Sequence, residues 1–264
     1  MENAAAVLGA NLAAVLGFMA CAWVLSLIVR DASIADVCWG LGFVLVAWTT
    51  FFLAQGTGAR KALVTTLVSL WGLRLAGYIG WRKRGQEEDR RYRAWRDRHG
   101  RRFWWVSLFT VFGVQGLLLW AISLGVQVGQ VASKPATLGW PALAGALLWA
   151  AGFIFEVVAD LQLYRFKADS KNRGRVMDRG LWAWSRHPNY FGETLVWWGI
   201  FLIVLPTPAG PWTVISPALI TFLLLRVSGV TLLEKTITET RPDYRAYQER
   251  TSAFVPWFPK QKRS

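Results

Sequence analysis

The stretch AAVLGANLAAVLGFMACAWVLSLIV (residues 5–29) is an apolar run long enough to cross a lipid bilayer. A transmembrane α-helix needs roughly 20 predominantly apolar residues, and this run is also longer than the apolar region of a signal peptide. Similar runs follow at residues 34–54, 62–81, 104–128, 138–160, 189–205 and 212–233. The pattern predicts an all-α, polytopic membrane helical bundle of about seven transmembrane helices, whose first helix is retained.

Lysine and arginine are concentrated in three of the segments outside these runs. They crowd residues 82–102, 165–186 and 235–263, whereas the loops that alternate with these segments (55–61, 129–137 and 206–211) hold only Arg60, Lys61 and Lys134. Because cytoplasmic loops carry an excess of positive charge, this alternation places the three basic segments and the C-terminus in the cytoplasm. Topology and anionic lipid headgroups thereby explain much of the net charge of +14, and no nucleic acid is needed as a partner.

Several kinds of site are excluded by composition. The two cysteines, Cys21 and Cys38, both lie in apolar runs, and the two histidines, His99 and His187, have no second imidazole at ligand spacing. We therefore expect neither a disulfide framework nor a metal site. The sequence also lacks a G-x-G-x-x-G element after a strand, so a nucleotide would have to be held by membrane helices and their cytoplasmic loops.

The segment SRHPNYFGE (residues 185–193) combines charged and polar residues at the edge of an apolar run. Proline favours the first turn of a helix and biases the residue before it away from the α region, so a helix should begin near Pro188. Arg186 and the free amides of Asn189 and Tyr190 would then converge at a helix N-terminus, which suits a phosphate. The alternative is an interfacial cap whose long side chains reach the headgroups.

Two further polar groups lie near the ends of apolar runs. Glu156 and Asp160 share one helix face, and the cations Arg165, Lys167, Lys171, Arg173, Arg175 and Arg179 follow them. Such cations suit a pyrophosphate and a 2′-phosphate, although they are also typical of a cytoplasmic loop. Arg226 interrupts the last apolar run and should face the bundle interior or a polar cavity, with Glu234 two turns further on the same face. The alternative for Arg226 is snorkelling to the interface.

Specific motifs resemble those of the steroid 5-alpha-reductase family, in particular its bacterial membrane branch. The matching pieces are DVCWGLGF at 36–43, LWGLRLAGYI at 70–79, EEDRRYRAWR at 87–96, the Glu156/Asp160 pair, SRHPNYFGE at 185–193 and the tail YRAYQERTSAFVPWFP at 244–259. The resemblance implies one transmembrane domain, with substrate-side helices in residues 1–137 and a cofactor-binding part in 138–264. It also implies NADPH as cofactor, hydride transfer to an activated C=C bond of a lipid-soluble substrate, and a bacterial inner membrane with the cofactor site facing the cytoplasm.

The resemblance assigns cofactor-binding positions residue by residue. Asp160 matches an Asp of the family, Glu156 stands where the steroid enzymes usually have Asn, and Lys167 and Arg175 match two cofactor-binding arginines. Asn189 and Glu193 match an N-x-x-G-E element, and Arg226 matches an Arg of the last helix. The predicted cofactor-binding set also includes Arg179, Arg186, His187, Tyr190 and Glu234.

The catalytic half departs from the steroid enzymes, which use a Gln-Glu pair and a Tyr to polarise the substrate ketone. Hydride addition to an enone leaves negative charge on its oxygen, so a donor is needed there. Asp36, protonated in an apolar pocket, Arg74 and Tyr78 are the candidates, although Asp36 lies close enough to a helix start to serve as a cap. Residues 85–92 are either a lid over the cofactor or a surface loop with internal ion pairs.

A rival resemblance is to membrane methyltransferases of the isoprenylcysteine and phospholipid type. These enzymes also carry an R-H-P-x-Y-x-G element, an acidic pair and a Y-x-x-Y tail, and they bind S-adenosylmethionine. Here Glu234 is followed by Lys235 rather than by a second acid. The long basic segment also suits a multiply phosphorylated cofactor better. A non-enzymatic scaffold or transporter is the third alternative, and the clustering of charge at one membrane face disfavours it.

Overall fold

A computed structural model describes residues 2–227, 229–230, 234, 237–238 and 243–260. All regular elements of these residues are helical, which confirms the prediction of an all-α chain. The α-helices are α1 (Glu2–Val29), α2 (Ile34–Leu53), α3 (Gly58–Lys83), α4 (Arg90–His99), α5 (Phe103–Ser107), α6 (Val114–Ile122), α7 (Leu124–Val131), α8 (Trp140–Ala168), α9 (Pro188–Val204), α10 (Ile215–Phe222) and α11 (Tyr244–Arg250). Two π-helical segments, Leu108–Gly113 and Leu223–Val227, continue α5 and α10.

Six helical stretches in the described part of the chain are long and apolar enough to cross a membrane. They are Ala4–Val29, Ile34–Leu53, Gly58–Lys83, Arg90–Ile122, Trp140–Ala168 and Gly210–Val227. The remaining expected span, residues 189–205, forms α9, which has 17 residues. At 1.5 Å per residue this helix is about 26 Å long, slightly less than the bilayer's hydrocarbon core of about 30 Å. Polytopic membrane architecture is confirmed, with α9 at the short limit for a spanning helix.

The chain forms two compact units. Unit 1 consists of Met1–Pro141 and Ile203–Ser216, and unit 2 of Ala142–Leu202 and Pro217–Ser264. The expected division of a single domain at residue 137 stays a prediction. All three predicted catalytic residues lie in unit 1, and all the predicted cofactor-binding residues lie in unit 2.

Unit 1 is built around a close crossing of α2 and α3. A Cβ atom on Gly40 would lie 2.5 Å from the Gly72 carbonyl oxygen, and one on Gly72 would lie 2.6 Å from the Gly40 oxygen. Backbones approach this closely in membrane bundles because glycine has no side chain. Phe43 and Trp71, both fully buried, pack edge to face beside the crossing with their ring centroids 5.5 Å apart.

Unit 2 contains an equally close contact between α8 and α9. A Cβ on Gly199 would lie 2.6 Å from the Gly145 oxygen, and one on Gly192 would lie 2.7 Å from both the Gly152 oxygen and the Glu156 nitrogen. The two helices therefore touch backbone to backbone over several turns. This contact brings the turn of α8 that contains Glu156 against the first turns of α9. Arg186, His187 and Pro188, called the R-H-P segment below, lie at the start of these turns.

Candidate functional site

The R-H-P segment has the local structure that its sequence predicts. Helix α9 begins at Pro188, and His187 lies just outside it, almost completely buried. The Phe191 amide donates to the His187 carbonyl oxygen at 3.1 Å, which closes the first turn. The imidazole of His187 stacks on the Tyr190 ring with parallel planes and centroids 5.6 Å apart. The predicted helix start at Pro188 is confirmed.

Arg186 and Glu234 form a mostly buried ion pair in unit 2. The Arg186 guanidinium donates from Nε to Glu234 Oε1 at 2.6 Å and from Nη2 to Oε2 at 3.0 Å. Nη1 donates to the carbonyl oxygens of Gln248 and Thr251. His187 Nε2 lies 3.1 Å from Glu234 Oε1, and Gln248 Nε2 donates to Oε2 at 2.9 Å. The structure thus brings Arg186, His187 and Glu234 together. Most of the hydrogen-bond donors of the Arg186 guanidinium are bonded to acceptors of the protein itself.

The environment of Glu234 fixes its charge. Burial raises the pKa of this carboxyl, but the hydrogen bonds from His187, Arg186 and Gln248 and the charge of Arg186 outweigh burial. The net effect lowers the pKa from 4.5 to about 2. Glu234 is therefore a carboxylate at every physiological pH, and it holds Arg186 in place.

The tail closes over the residues that precede α9. The Tyr247 hydroxyl donates to the Trp182 carbonyl oxygen, Ser185 Oγ donates to the Phe254 oxygen at 2.7 Å, and the Trp257 amide donates to the Trp184 oxygen at 2.9 Å. A parallel β-bridge joins Ser185 to residue 252. These contacts give the aromatic tail (residues 244–259) an ordered position against the residues that precede α9.

Three buried carboxyl groups lie on the facing turns of α8 and α9. Glu156 is 2% exposed, Asp160 5% and Glu193 7%. Asn189 Nδ2 donates to Asp160 Oδ1 at 3.2 Å, which joins the first turn of α9 to α8. Gly192 lies against the Glu156 backbone. The predicted E-x-x-x-D pair and the N-x-x-G-E element therefore meet in one place, although 29 residues separate Asp160 from Asn189.

The predicted basic residues follow this cluster along the chain. Lys167 lies in the last turn of α8, and Arg175 and Arg179 lie in the segment between α8 and α9, all three exposed. The end of that segment is fastened back onto α8, because Trp182 Nε1 donates to the Ala159 oxygen at 3.0 Å. The cations thus lie on the stretch of chain that leads from Asp160 to Asn189.

Arg226 lies in the π-helical segment Leu223–Val227, and its side chain is exposed. It does not lie in the packed interior of unit 2. The packed interior is therefore wrong for Arg226, whereas a polar cavity and the alternative of snorkelling to the interface stay predictions. A π-helical segment is uncommon and is frequently found at functional sites.

In unit 1, Asp36 lies in a polar cluster rather than in the expected apolar pocket. Its Oδ2 accepts from Arg91 Nη2 at 2.8 Å, and its Oδ1 accepts from the Tyr92 hydroxyl at 2.7 Å. Gln115 Nε2 donates to the Tyr92 oxygen at 3.1 Å. Both Asp36 oxygens therefore accept hydrogen bonds, one of them from a cation, and the expected apolar pocket is wrong.

Arg74 and Tyr78 form a separate group on α3. The Arg74 guanidinium lies over the Tyr78 ring at 5.5 Å, and that of Arg82 lies 5.3 Å from the same ring. Each contact places a cation over an aromatic face. Asp36 has Arg91 and Tyr92 as its hydrogen-bond partners instead.

The segment at residues 85–92 is fastened at its C-terminal half. Glu88 accepts from the Ala32 amide and from Arg96, each at 2.8 Å, and the Asp89 amide donates to Ser33 Oγ at 2.9 Å. Burial raises the pKa of Glu88, but the hydrogen bonds from Arg96 and Ala32 outweigh burial and hold the pKa below its ordinary value. The acidic residues of this segment also form ion pairs with Arg91, Arg93 and Arg96, which the second interpretation of this loop expects. Its role as a lid stays a prediction.

Four residues of these clusters are absent from the predicted sites: Arg91, Tyr92, Gln115 and Gln248. Arg91 and Tyr92 lie within the motif EEDRRYRAWR, which indicates their segment but not their roles. Asp36 and Tyr92 are 56 residues apart. Only the packing of the helices reveals such a contact.

Comparison with known proteins places the chain in a family. The sequence model of a protein family described as "Protein of unknown function (DUF1295)" matches residues 22–251. An uncharacterized protein of the fission yeast Schizosaccharomyces pombe is 29% identical over 273 residues, which cover 89% of this chain and 75% of that protein. No solved structure matches the chain significantly. The match to the family model covers most of the chain, which therefore belongs to the DUF1295 family.

Proposed function

We propose that this protein is an NADPH-dependent membrane reductase that transfers hydride to an activated, enone-like C=C bond of a lipid-soluble substrate. The observation that carries the proposal is the hydrogen bond between Asn189 and Asp160, with buried Glu156 and Glu193 on adjacent turns. These positions match the cofactor-binding motif of the steroid 5-alpha-reductases. The DUF1295 family is known to include steroid 5-alpha-reductase-like proteins, which also supports the proposal.

The residues of unit 2 fit a phosphorylated dinucleotide. Lys167, Arg175 and Arg179 are exposed cations that would pair with pyrophosphate and 2′-phosphate oxygens. Asp160 and Glu193 would accept hydrogen bonds from ribose hydroxyls or from the nicotinamide amide. The cluster of Arg186, His187 and Glu234 would support the cofactor site indirectly, because the hydrogen bonds among these residues hold the start of α9 in place. NADPH, when bound, would supply the hydride.

Unit 1 offers a group that could supply the proton. Negative charge develops on the substrate oxygen as hydride arrives, and a hydrogen-bond donor placed at that oxygen stabilises it. The Tyr92 hydroxyl already lies in a network with Asp36 and Gln115. In this proposal Tyr92 is the donor: its single hydroxyl proton, which Asp36 Oδ1 accepts in the free protein, would be donated to the substrate oxygen instead. Arg74 and Tyr78 remain predicted substrate-side residues.

An S-adenosylmethionine-dependent methyltransferase is the rival proposal. The R-H-P segment, Glu234 and the tyrosine-rich tail pack together in a way that would serve either enzyme. The cation-rich segment after α8 distinguishes the two, since S-adenosylmethionine carries no phosphate that would pair with it. The proposed setting is an integral membrane protein of a bacterial inner membrane with the cofactor site facing the cytoplasm. The oligomeric state stays open.

A ligand-dependent thermal shift tests the cofactor. The purified protein is heated in detergent with NADPH, NADH or S-adenosylmethionine. A ligand that binds only the folded state should stabilise it by roughly 2.7 kcal/mol at a hundredfold excess over Kd. We expect the largest shift with NADPH, a smaller shift in Arg175→Ala, and an unchanged shift in the control Arg101→Ala, which removes an exposed cation that belongs to none of the predicted sites. A shift with S-adenosylmethionine alone would replace the reductase with the methyltransferase.

A further inference from the structure

The described part of unit 1 contains a cavity of about 280 Å³ that is open on one side. Leu8 of α1 and Val128 and Val131 of α7 contribute to its mostly apolar wall, and Ser133 and Lys134 lie at its rim. At about 30 Å³ for each water-sized group, the cavity has room for roughly nine such groups. This volume admits one alkyl chain, and the outer carbons of a longer chain would lie at the open side. None of the residues predicted for the cofactor or for catalysis lines it.

The rim of the cavity is held by a buried arginine. Arg60 is 2% exposed, and it donates to the backbone oxygens of Gly129 at 2.8 Å, Pro135 at 3.0 Å and Lys134 at 3.4 Å, and also to that of Ala132. Within the part of the chain that the structure describes, no carboxylate forms an ion pair with this guanidinium. Backbone oxygens satisfy its hydrogen bonds, so a positively charged side chain lies directly behind the rim and fixes the backbone there.

Lys134 adds a second positive charge at the mouth. Its side chain is exposed, and its Nζ has no partner among the residues that the structure describes. The carbonyl of Ser133, next to it, accepts a hydrogen bond from Thr57 Oγ1 at 2.9 Å, so the rim is held from two directions. An apolar cavity with a preorganised cationic rim is complementary to a molecule that has one apolar chain and one anionic end.

We propose that this cavity binds a single-chain anionic amphiphile, with its alkyl chain against α1 and α7 and its carboxylate or phosphate at the Lys134 ammonium. The proposal concerns unit 1 alone, and it does not depend on the reductase activity. Carboxylate and phosphate amphiphiles share the required chemistry, and binding experiments distinguish them.

The test is equilibrium binding of radiolabelled dodecanoate to the full-length protein in phosphatidylcholine nanodiscs, with empty nanodiscs as background. We expect saturable binding of one dodecanoate per chain. Dodecyl phosphate should compete, whereas dodecanol, which has the same chain without the charge, should compete at least tenfold more weakly. Whichever of the two anions binds more tightly identifies the preferred head group.

Three variants locate the site. Lys134→Gln should weaken dodecanoate binding about fivefold, the upper range for one partly exposed ion pair. Val131→Trp should abolish saturable binding because the indole fills the cavity. Lys61→Gln removes the positive charge of the residue next to Arg60. Since Lys61 does not line the cavity, this variant should leave dodecanoate binding unchanged. Unsaturable binding, equal affinity for dodecanol, or an undiminished affinity in Lys134→Gln would each overturn the proposal. Because Lys134 is exposed, its substitution should leave the fold intact.

Discussion

Replacing Gly192 by alanine tests the contact that assembles the candidate cofactor site. The new Cβ would lie 2.7 Å from both the Glu156 nitrogen and the Gly152 oxygen and 3.0 Å from the Glu156 Cα, well inside the 3.4–4 Å of ordinary contact. All three atoms belong to the backbone of α8, so no side chain can turn away. Overpacking of this kind costs about 1–3 kcal/mol, and the higher helix propensity of alanine returns up to about 1 kcal/mol. We expect a net destabilisation of about 1–2 kcal/mol.

Thermal unfolding in detergent measures this effect. For a chain of this size the expected fall in Tm is roughly 2–8 °C. Gly77→Ala is the matched control, because a Cβ on Gly77 of α3 would meet nothing within 4 Å. Its Tm should stay level or rise.

The same substitution should weaken cofactor binding. If α9 moves away from α8, the 3.2 Å hydrogen bond between Asn189 and Asp160 lengthens. The thermal shift with NADPH should then fall in Gly192→Ala and remain in Gly77→Ala. An unchanged Tm together with an unchanged NADPH shift in Gly192→Ala would refute the close contact of the two helices.

Three other changes have expected outcomes. The lowered pKa of Glu234 in the folded state should contribute about 1–2 kcal/mol of stability at pH 7, and this contribution is lost as the pH falls from about 4.5 to about 2. Glu234→Gln should be less stable at pH 7 and should lack this part of the acid-dependent loss in thermal unfolding. Tyr92→Phe should lower kcat for NADPH-dependent enone reduction about a hundredfold and leave the NADPH thermal shift intact. An unchanged kcat would show that Tyr92 is not the donor. Gly40→Ala should lower Tm by about as much as Gly192→Ala, since its Cβ would meet the Gly72 oxygen at 2.5 Å, and an unchanged Tm would contradict that crossing.

The sequence predicts the features of this protein that depend on nearby residues. Apolar runs identify the membrane helices because the bilayer imposes a length on each of them. The start of α9 at Pro188 follows from the geometry of proline. The pairing of Glu156 with Asp160 on one helix face follows from helical periodicity. In each case the deciding interaction acts within a few residues.

Contacts between distant segments could not be predicted in this way. Glu234 pairs with Arg186 across 48 residues, and Asp36 meets Tyr92 across 56. No periodicity relates such positions, and their geometry depends on which helices cross and at which glycine. The sequence therefore marks Arg186 as a phosphate ligand, whereas the structure shows most of its donors engaged by Glu234 and the tail.

The closure of the tail over residues 182–186 also constrains how the protein is made. Ser185 receives its partner, Phe254, only 69 residues later in the chain, so this part of unit 2 cannot finish folding while Phe254 is still inside the ribosome. At about 5–20 residues per second, the R-H-P segment waits on the order of several seconds beside the membrane with its backbone groups exposed to water. During that interval it is a natural target for chaperones and proteases, and slowing translation between residues 186 and 254 would lengthen its exposure.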